Sequence, residues 1–218
     1  KYYSWTPYQY SGNNPVSLLD FGGLDVEDVE RLVRNLNVDR FLDGLAYNTI
    51  HTGNEWGGHI ISVPHKYGRG GNLITYSSFV QGNYITSSID VDRNTNPEDL
   101  DNSIARVHTH TGGGAPGFED LRHLIGTSYW AKVSIIETEN TRYALEILDE
   151  EKASKIYNNQ YDNMETTWWD TFRSSRIDGL SEEQSRLKAI KAVVDLFDGS
   201  VGLYQTVDDN KQDFEVVK

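Results

Sequence analysis

Hydrophobic residues follow two different periods along the chain, one typical of helices and the other typical of strands. From Asp25, apolar residues recur every three or four positions as far as Leu45, which predicts a long helix with a break near Asn37 or Gly44. Three later segments are rich in β-branched and aromatic residues and are separated by glycine-containing turns, which predicts an antiparallel meander. These segments are 56–63, 72–80 and 84–91.

Both periods occur in the second half of the sequence. Their order along the chain predicts a fourth strand, a short helix and a hairpin, followed by two longer helices and a closing pair of strands. The first long helix carries Trp168 and Trp169, and the second opens with a capping box formed by Ser181 and Gln184. The fourth strand is predicted at 103–110 and the short helix at 118–125. The hairpin is predicted at 131–136 with 142–148, and the closing strands at 201–207 with 214–217. The expected fold class is therefore α+β.

Composition divides the chain into three regions. Residues 1–24 are rich in Tyr, Asn, Gly and Pro and show no helical period, so we interpret them as a leader or linker. We expect residues 25–150 to form the core, and residues 151–218 to form a helical extension with closing strands that packs on the same domain. A chain of 218 residues is long enough to bury such a core without disulfides.

The charge of the chain disfavours some partners. The 20 Lys and Arg residues and the 33 Asp and Glu residues give a net charge of −13, which argues against nucleic-acid binding through a broad basic surface. No segment approaches the roughly 18 consecutive apolar residues that a membrane-spanning helix needs, so we expect no membrane span. The first residues lack the apolar stretch of a signal peptide, and we expect the sequence to begin inside a longer chain.

The candidate chemistry lies in the histidines. The sequence contains no cysteine, which excludes disulfides and cysteine-based metal sites and leaves histidines and carboxylates as ligands. His108 and His110 stand two positions apart at the end of a predicted strand, where alternation places both imidazoles on one face. Asp120 follows at the start of a predicted helix, after a glycine-rich loop. Two imidazoles and a carboxylate are a typical ligand set for zinc.

Each of these features also has an ordinary structural interpretation. Histidines near the end of a strand are often simply solvated. An acid in the first turn of a helix stabilises the helix dipole without any metal, and glycines are common in flexible surface loops. Residue types and spacing therefore leave both interpretations open.

The segment 108–121, HTHTGGGAPGFEDL, resembles the JAMM motif of the JAB/MPN+ metalloproteases, in which an H-x-H pair is followed, after a loop, by S-x-x-D. The order of the flanking predicted elements is similar to that family too. The resemblance implies a curved, mostly antiparallel sheet flanked by helices. It also implies that His108, His110 and Asp120 hold one zinc ion with water in the fourth position, and that the domain is a metallopeptidase.

The same resemblance implies an upstream glutamate that acts as general acid and base beside the metal. Glu55, just before the first predicted strand, matches that context. Glu98 and Glu119 fit less well, because the first is on a loop and the second faces away from Asp120 by helical phase. Gly117 stands where the family has a serine that helps to hold the tetrahedral intermediate, and the loop before it is one residue shorter. This departure leaves that role to the metal, a backbone N–H or another side chain.

The leader resembles a second family. Residues 5–16, WTPYQYSGNNPV, and residues 20–24, DFGGL, are similar to the end of the core domain of RHS/YD-repeat proteins, although Phe21 replaces a proline of that signature. In RHS proteins this signature precedes a variable C-terminal domain, commonly a toxin, and JAB-like metallopeptidases are among those domains. The resemblance implies a secreted or cell-surface parent chain, delivery of the effector into a target cell, and an immunity protein as a partner.

We therefore expect a JAMM-type hydrolase that cleaves a peptide, isopeptide or other amide bond of a protein or peptide substrate, as the toxin domain of an RHS-like protein. Two other function classes stay open. One is a JAB-like interaction scaffold without activity, suggested by Gly117, and the other is a metal-dependent nuclease toxin, against which the acidic charge counts. A partner surface built on Trp168 and Trp169 is a further alternative, but aromatic residues at helical spacing are more often core.

Overall fold

The computed structural model describes residues 26–64, 72–82, 91–111, 114–207 and 211–217, so the leader at 1–24 lies outside the described residues. The strands in these ranges are β1 (Trp56–Pro64), β2 (Asn72–Tyr76), β3 (Val80–Gln81), β4 (Ser103–Thr109), β5 (Val133–Glu137), β6 (Arg142–Ile147), β7 (Val201–Thr206) and β8 (Phe214–Val216). The helices are α1 (Val26–Val33), α2 (Leu36–Thr52), α3 (Pro97–Leu100), α4 (Phe118–Gly126), α5 (Glu150–Ile177) and α6 (Glu182–Asp195). None of these helices is both long enough and apolar enough to cross a bilayer.

The described strands form one sheet. Its order is β2-β1-β4-β5-β6-β7-β8, and β3 also pairs with β1. Neighbouring strands run antiparallel except β4 and β5, which are parallel and are connected through α4. A parallel pair needs such a crossover, because a tight turn can only reverse the direction of the backbone. The α+β fold class and the mostly antiparallel sheet flanked by helices are therefore confirmed.

Helices cover both faces of this sheet. On one face, Phe41 of α2 and Val107 of β4 belong to the same buried cluster. On the other face, Leu121 of α4 and Met164 of α5 share a second buried cluster with Leu145 of β6. Because side chains alternate along a strand, a residue next to Val107 in β4 points toward the face that α4 covers. This alternation determines where the two candidate histidines point.

The residues after 150 complete the same sheet. β7 pairs with β6 from Tyr143↔Gln205 to Ile147↔Val201, and β8 pairs with β7. The helices α5 and α6 contribute to the buried cluster that also holds residues of α4 and β6. The C-terminal extension thus shares both a sheet and a hydrophobic core with the residues that precede it.

Several predicted elements are confirmed, and the structure shows where the first long helical segment is broken. The hairpin, the helix with the capping box and the closing strand pair are present. The predicted break near Asn37 occurs at residues 34–35, and Gly44 lies inside α2 without a break. The break occurs because the side chain of Asn35 accepts a hydrogen bond from the backbone N–H of Asn37 and starts a new helix.

The predicted meander also differs from the structure. The predicted strand 72–80 ends at Tyr76, and pairing resumes only at Val80. Ser77 explains the gap, because its hydroxyl oxygen accepts a hydrogen bond from the backbone N–H of His59 in place of a backbone carbonyl. The predicted strand 84–91 lies outside the described residues except for Val91, which is in a turn.

Candidate metal centre

Strand β4 brings His108 and His110 to one end of the sheet. Val107 points into the cluster under α2, so His108 points to the opposite face, which α4 covers. The strand ends at Thr109, but the backbone N–H of His110 still donates to the carbonyl oxygen of Glu137 at 3.1 Å. This bond keeps His110 aligned with the sheet, so both imidazoles lie on one face.

Asp120 reaches the same place from the start of α4. Gly117 is the N-cap residue of this helix, and its backbone N–H donates to Oδ2 of Asp120 at 2.7 Å. This bond is the carboxylate part of a capping box, and it holds the Asp120 side chain at the beginning of the helix. Leu121 and Leu124 of the same helix are buried, which anchors α4 on the sheet.

The three side chains form one compact donor group. Nε2 of His108 lies 3.1 Å from Nε2 of His110 and 2.9 Å from Oδ1 of Asp120, and Nε2 of His110 lies 3.4 Å from Oδ2 of Asp120. Donor atoms at about 2.0–2.1 Å from a tetrahedral zinc ion lie about 3.3 Å from one another. The observed spacing fits that arrangement, and the group could hold a metal ion.

Hydrogen bonding defines which nitrogen of His110 faces the group. Nδ1 of His110 lies 2.7 Å from the carbonyl oxygen of Gly114. A carbonyl only accepts hydrogen bonds, so Nδ1 carries a proton, and in the neutral ring the lone pair is on Nε2. Nδ1 of His108 is buried and has no hydrogen-bond partner among the described residues, so the strand and the packing around it orient that ring.

Burial and neighbouring charges shift the pKa values of these three side chains in opposite directions. Burial lowers the pKa of His108 to about 4, which keeps the imidazole in the neutral form that binds a metal. Burial also opposes protonation of His110, but the Asp120 carboxylate, together with Glu55 and the Gly114 carbonyl, raises the pKa of His110. Burial alone would raise the pKa of Asp120, yet the two imidazoles hold it well below its usual range. Asp120 is therefore ionised at neutral pH.

Glu55 lies beside the donor group. β1 and β4 are antiparallel with Gly57 opposite His108, so Glu55, two residues earlier, comes opposite His110 on the same face. The side chain is half-buried, and burial raises the pKa of Glu55 to about 7. The charge of His110 acts in the opposite direction, and that of Asp120 adds to the effect of burial. A carboxyl group near its titration point thus adjoins the three donors.

Gly117, the position of the family serine, offers no free backbone donor. Its N–H already donates to the Asp120 carboxylate, so it is not available to a substrate carbonyl in this structure. A Cβ atom at Gly117 would lie 3.7 Å from Oδ2 of Asp120, an ordinary van der Waals contact. The position therefore has room for a serine.

The two weaker glutamate candidates lie on the surface. Glu98 is exposed in the first turn of α3. Glu119 forms a surface ion pair with Arg122, and its side chain is 69% exposed. Neither belongs to the donor group found in the described part of the chain.

A second polar cluster was not predicted from the sequence. Asp92 lies between two imidazoles, with Oδ1 at 2.8 Å from Nε2 of His59 and with Oδ2 accepting from Nε2 of His123. Nε of Arg106 is 3.7 Å from the same Oδ1. Burial would raise the pKa of Asp92, but the two histidines hold it well below its usual range. No local spacing indicates this cluster, because its members belong to different elements.

A cavity of about 300 Å³ opens next to His110. It is bounded by residues of α2, by the end of β4 and by the residues that follow β5. Thr111 and Glu139 contribute polar groups to its wall, and Ile50 contributes apolar surface. The volume is at the lower end of the range for small-molecule sites.

Comparison of the sequence and structure with protein-family models, with curated proteins and with solved structures found no match. A function for the protein therefore follows from the residues and geometry of the candidate metal centre.

Proposed function

We propose that the protein is a zinc-dependent hydrolase that cleaves an amide bond in a protein or peptide. The observation that carries the proposal is the proximity of Glu55 to the donor group of His108, His110 and Asp120 at one end of the β1–β4 pair. Two imidazoles and one carboxylate are a ligand set of catalytic zinc, and they leave one coordination position open. The resemblance of segment 108–121 to the JAMM motif supports the same reaction.

The ligands and the ion have separate tasks in this proposal. His108, His110 and Asp120 would hold the ion, and the bond from Nδ1 of His110 to Gly114 keeps Nε2 directed at the donor group. A zinc ion bound there supplies Lewis acidity, which lowers the pKa of a water ligand and polarises the substrate carbonyl. The hydrogen bond from Gly117 to Asp120 holds the carboxylate in place.

Glu55 moves the proton in the proposed reaction. With a pKa of about 7, its carboxylate accepts a proton from the attacking water and then donates it to the leaving amine at neutral pH. Its place opposite His110 in the β1–β4 register keeps it close to the reacting groups. The other two candidates from the sequence, Glu98 and Glu119, are exposed on the surface and lie outside the donor group.

Metal content tests the proposal directly. Untagged protein, measured by inductively coupled plasma mass spectrometry, is expected to carry close to one zinc ion per molecule. His110→Ala is expected to lose the ion, whereas His51→Ala, an exposed histidine of α2, is expected to keep it. Protein that stays folded and cannot be loaded with zinc would refute the hydrolase and favour an interaction scaffold.

We further propose that this hydrolase is the effector domain of an RHS-like protein. The support is the resemblance of residues 5–16 and 20–24 to the end of an RHS core domain. In that setting the parent protein is secreted or presented at the cell surface, and an immunity protein protects the producing cell. The net charge of −13 favours a partner with a basic contact surface.

A further inference from the structure

Arg186 of α6 lies at the edge of the candidate metal centre. A Cβ atom on Gly114 would lie 3.5–3.6 Å from Cδ, Nε and Nη1 of Arg186, so the arginine packs directly on the backbone of this glycine. Gly114 is also the residue whose carbonyl oxygen bonds Nδ1 of His110. Arg186 and the candidate ligand His110 therefore contact the same residue.

The Arg186 side chain is held in place, but not all of its N–H groups are hydrogen-bonded. Its Nε and Nη2 donate to Oε1 of Glu182 at 3.1 and 2.9 Å, one turn earlier in α6. Nη1 makes no hydrogen bond within the described part of the protein, and the side chain is 35% exposed. One edge of a positioned guanidinium group is thus available to a ligand.

Arg186 carries a positive charge beside the proposed reaction site, because its guanidinium group packs on Gly114, whose carbonyl oxygen bonds His110. The fork of an arginine binds a carboxylate through two parallel hydrogen bonds. A dianionic phosphate suits this place less well, because Glu182 already accepts hydrogen bonds from Nε and Nη2 of Arg186 and balances part of its charge. The surroundings therefore favour a singly charged anion.

We propose that Arg186 binds a carboxylate of the substrate and so selects amide bonds that lie close to a carboxylate. That carboxylate belongs either to the C-terminus of a polypeptide or to an acidic side chain. The inference rests on the proposed function, because it takes the donor group of His108, His110 and Asp120 as the place where the amide is cleaved. Arg186 is then a specificity-determining residue that the C-terminal extension contributes.

Mercaptoacetyl peptides test this inference, because their thiolate binds zinc while the rest of the molecule extends toward the edge of the site. The probes are mercaptoacetyl-glycine, -diglycine and -triglycine, each as the free acid and as the C-terminal amide. Mercaptoacetyl-aspartate amide and mercaptoacetyl-asparagine amide form a further pair, in which the only carboxylate is on the side chain. Affinities are measured by isothermal titration calorimetry on the zinc-loaded protein.

In the wild type, at least one carboxylate probe is expected to bind about tenfold tighter than its matched amide. A preference in the glycine series identifies a C-terminus, and a preference in the aspartate pair identifies an acidic side chain. Arg186→Gln is expected to reduce the preference to within about twofold. Arg186→Lys is expected to retain part of it, because lysine keeps the positive charge but lacks the two parallel donors of the guanidinium group.

Lys188→Gln is the matched control, because it removes an exposed positive charge from the same helix. It is expected to leave the preference and the zinc content unchanged. Thiol probes that bind the zinc-loaded wild type without any preference, or a preference that survives in Arg186→Gln, would overturn the role of Arg186 alone. Protein that holds no zinc would overturn the proposed function and this inference together, so zinc content distinguishes the two failures.

Discussion

The raised pKa of Glu55 results from its position just before β1. Burial raises its pKa to about 7, against the opposing charges of His110 and Arg186. A carboxyl group that titrates near neutral pH can both accept and release a proton in one reaction cycle. This property arises because the start of β1 lies opposite the end of β4, and not because of the residues next to Glu55 in the sequence.

Glu55→Gln is expected to lower turnover by about 10²- to 10⁴-fold, because the amide keeps the shape of the side chain but cannot transfer a proton. Zinc content is expected to be unchanged, since Glu55 is outside the donor group. Cleavage of a peptide mixture, followed by mass spectrometry, measures turnover beside the zinc assay. Glu98→Gln, at an exposed position of α3, is the control and should behave like the wild type. Loss of zinc or undiminished turnover would contradict the role of Glu55.

Gly117→Ser is expected to be tolerated and to raise turnover. The Cβ position is open, and the backbone of Gly117 is extended, as an N-cap serine requires. Replacing glycine by serine at an N-cap is expected to add a few tenths of a kcal/mol to the free energy of unfolding. The hydroxyl also gives the site a hydrogen-bond donor that it now lacks at this position. Urea denaturation and the peptide cleavage assay check the two effects.

Gly126→Ser, at the other end of α4, is a matched control because a Cβ atom there meets no neighbour. It is expected to leave turnover unchanged. Destabilisation by Gly117→Ser, or unchanged turnover in a stable variant, would be evidence against a transition-state role for this position.

At the scale of elements, Asp92 couples three parts of the fold. Its Oδ2 accepts a hydrogen bond from His123 of α4, its Oδ1 lies 2.8 Å from Nε2 of His59 of β1, and Arg106 of β4 is nearby. α4 also carries Asp120 one turn before His123. Asp92 therefore fixes the helix that supplies a candidate metal ligand, although it does not belong to the donor group itself.

Asp92→Asn is expected to lower the free energy of unfolding by about 3 kcal/mol at neutral pH. The substitution removes a buried negative charge that interacts with two imidazoles and with Arg106. The folded pKa of Asp92 is below its ordinary value of 3.8, so the unfolded state binds this proton first as the pH falls. The stabilisation is complete above about pH 5 and is lost as the pH falls through the ordinary pKa toward the folded one.

Urea denaturation between pH 7 and about pH 3 measures this effect. The stability of the wild type is expected to fall more steeply toward acid than that of Asp92→Asn, so the difference between the two curves should narrow. Asp99→Asn in α3 is the control and is expected to run parallel to the wild type. Parallel curves for Asp92→Asn would show that the carboxylate contributes no net charge stabilisation.

At the scale of the whole molecule, one buried charge network joins distant segments. Arg142 of β6 donates to Glu137 of β5, to Asp39 of α2 at 3.2 Å and to the carbonyl oxygen of Lys211 at 2.9 Å. Nζ of Lys211 also donates to Glu137 at 2.6 Å. The helix α2, the centre of the sheet and the segment before β8 are thereby held together.

Arg142→Ala is expected to cost about 3–5 kcal/mol of unfolding free energy, because it leaves the buried Glu137 without its arginine partner. The exposed Arg40→Ala in α2 is the control, with an expected change within about 0.5 kcal/mol. Both values come from urea denaturation at neutral pH. A loss of less than about 1 kcal/mol in Arg142→Ala would show that the network contributes little beyond solvation of its members.

Local patterns in the sequence determined the elements and the donor group. Hydrophobic spacing within one helix or strand depends on near neighbours, so the α+β class, the β5–β6 hairpin and the closing strands could be predicted. His108 and His110 share a face because strand side chains alternate over two residues. Asp120 was placed near a helix start by turn and capping signals of the same short range.

Tertiary structure alone decided which elements that are distant in the sequence meet. The parallel pairing of β4 with β5, the position of Asp92 between His59 and His123, and the packing of Arg186 on Gly114 all join segments that are distant in the sequence. Periodicity specifies which face of an element is buried, but it does not specify the neighbour. The neighbours are set by close packing and by the pairing of buried charges, and only the folded protein brings those groups within range of one another.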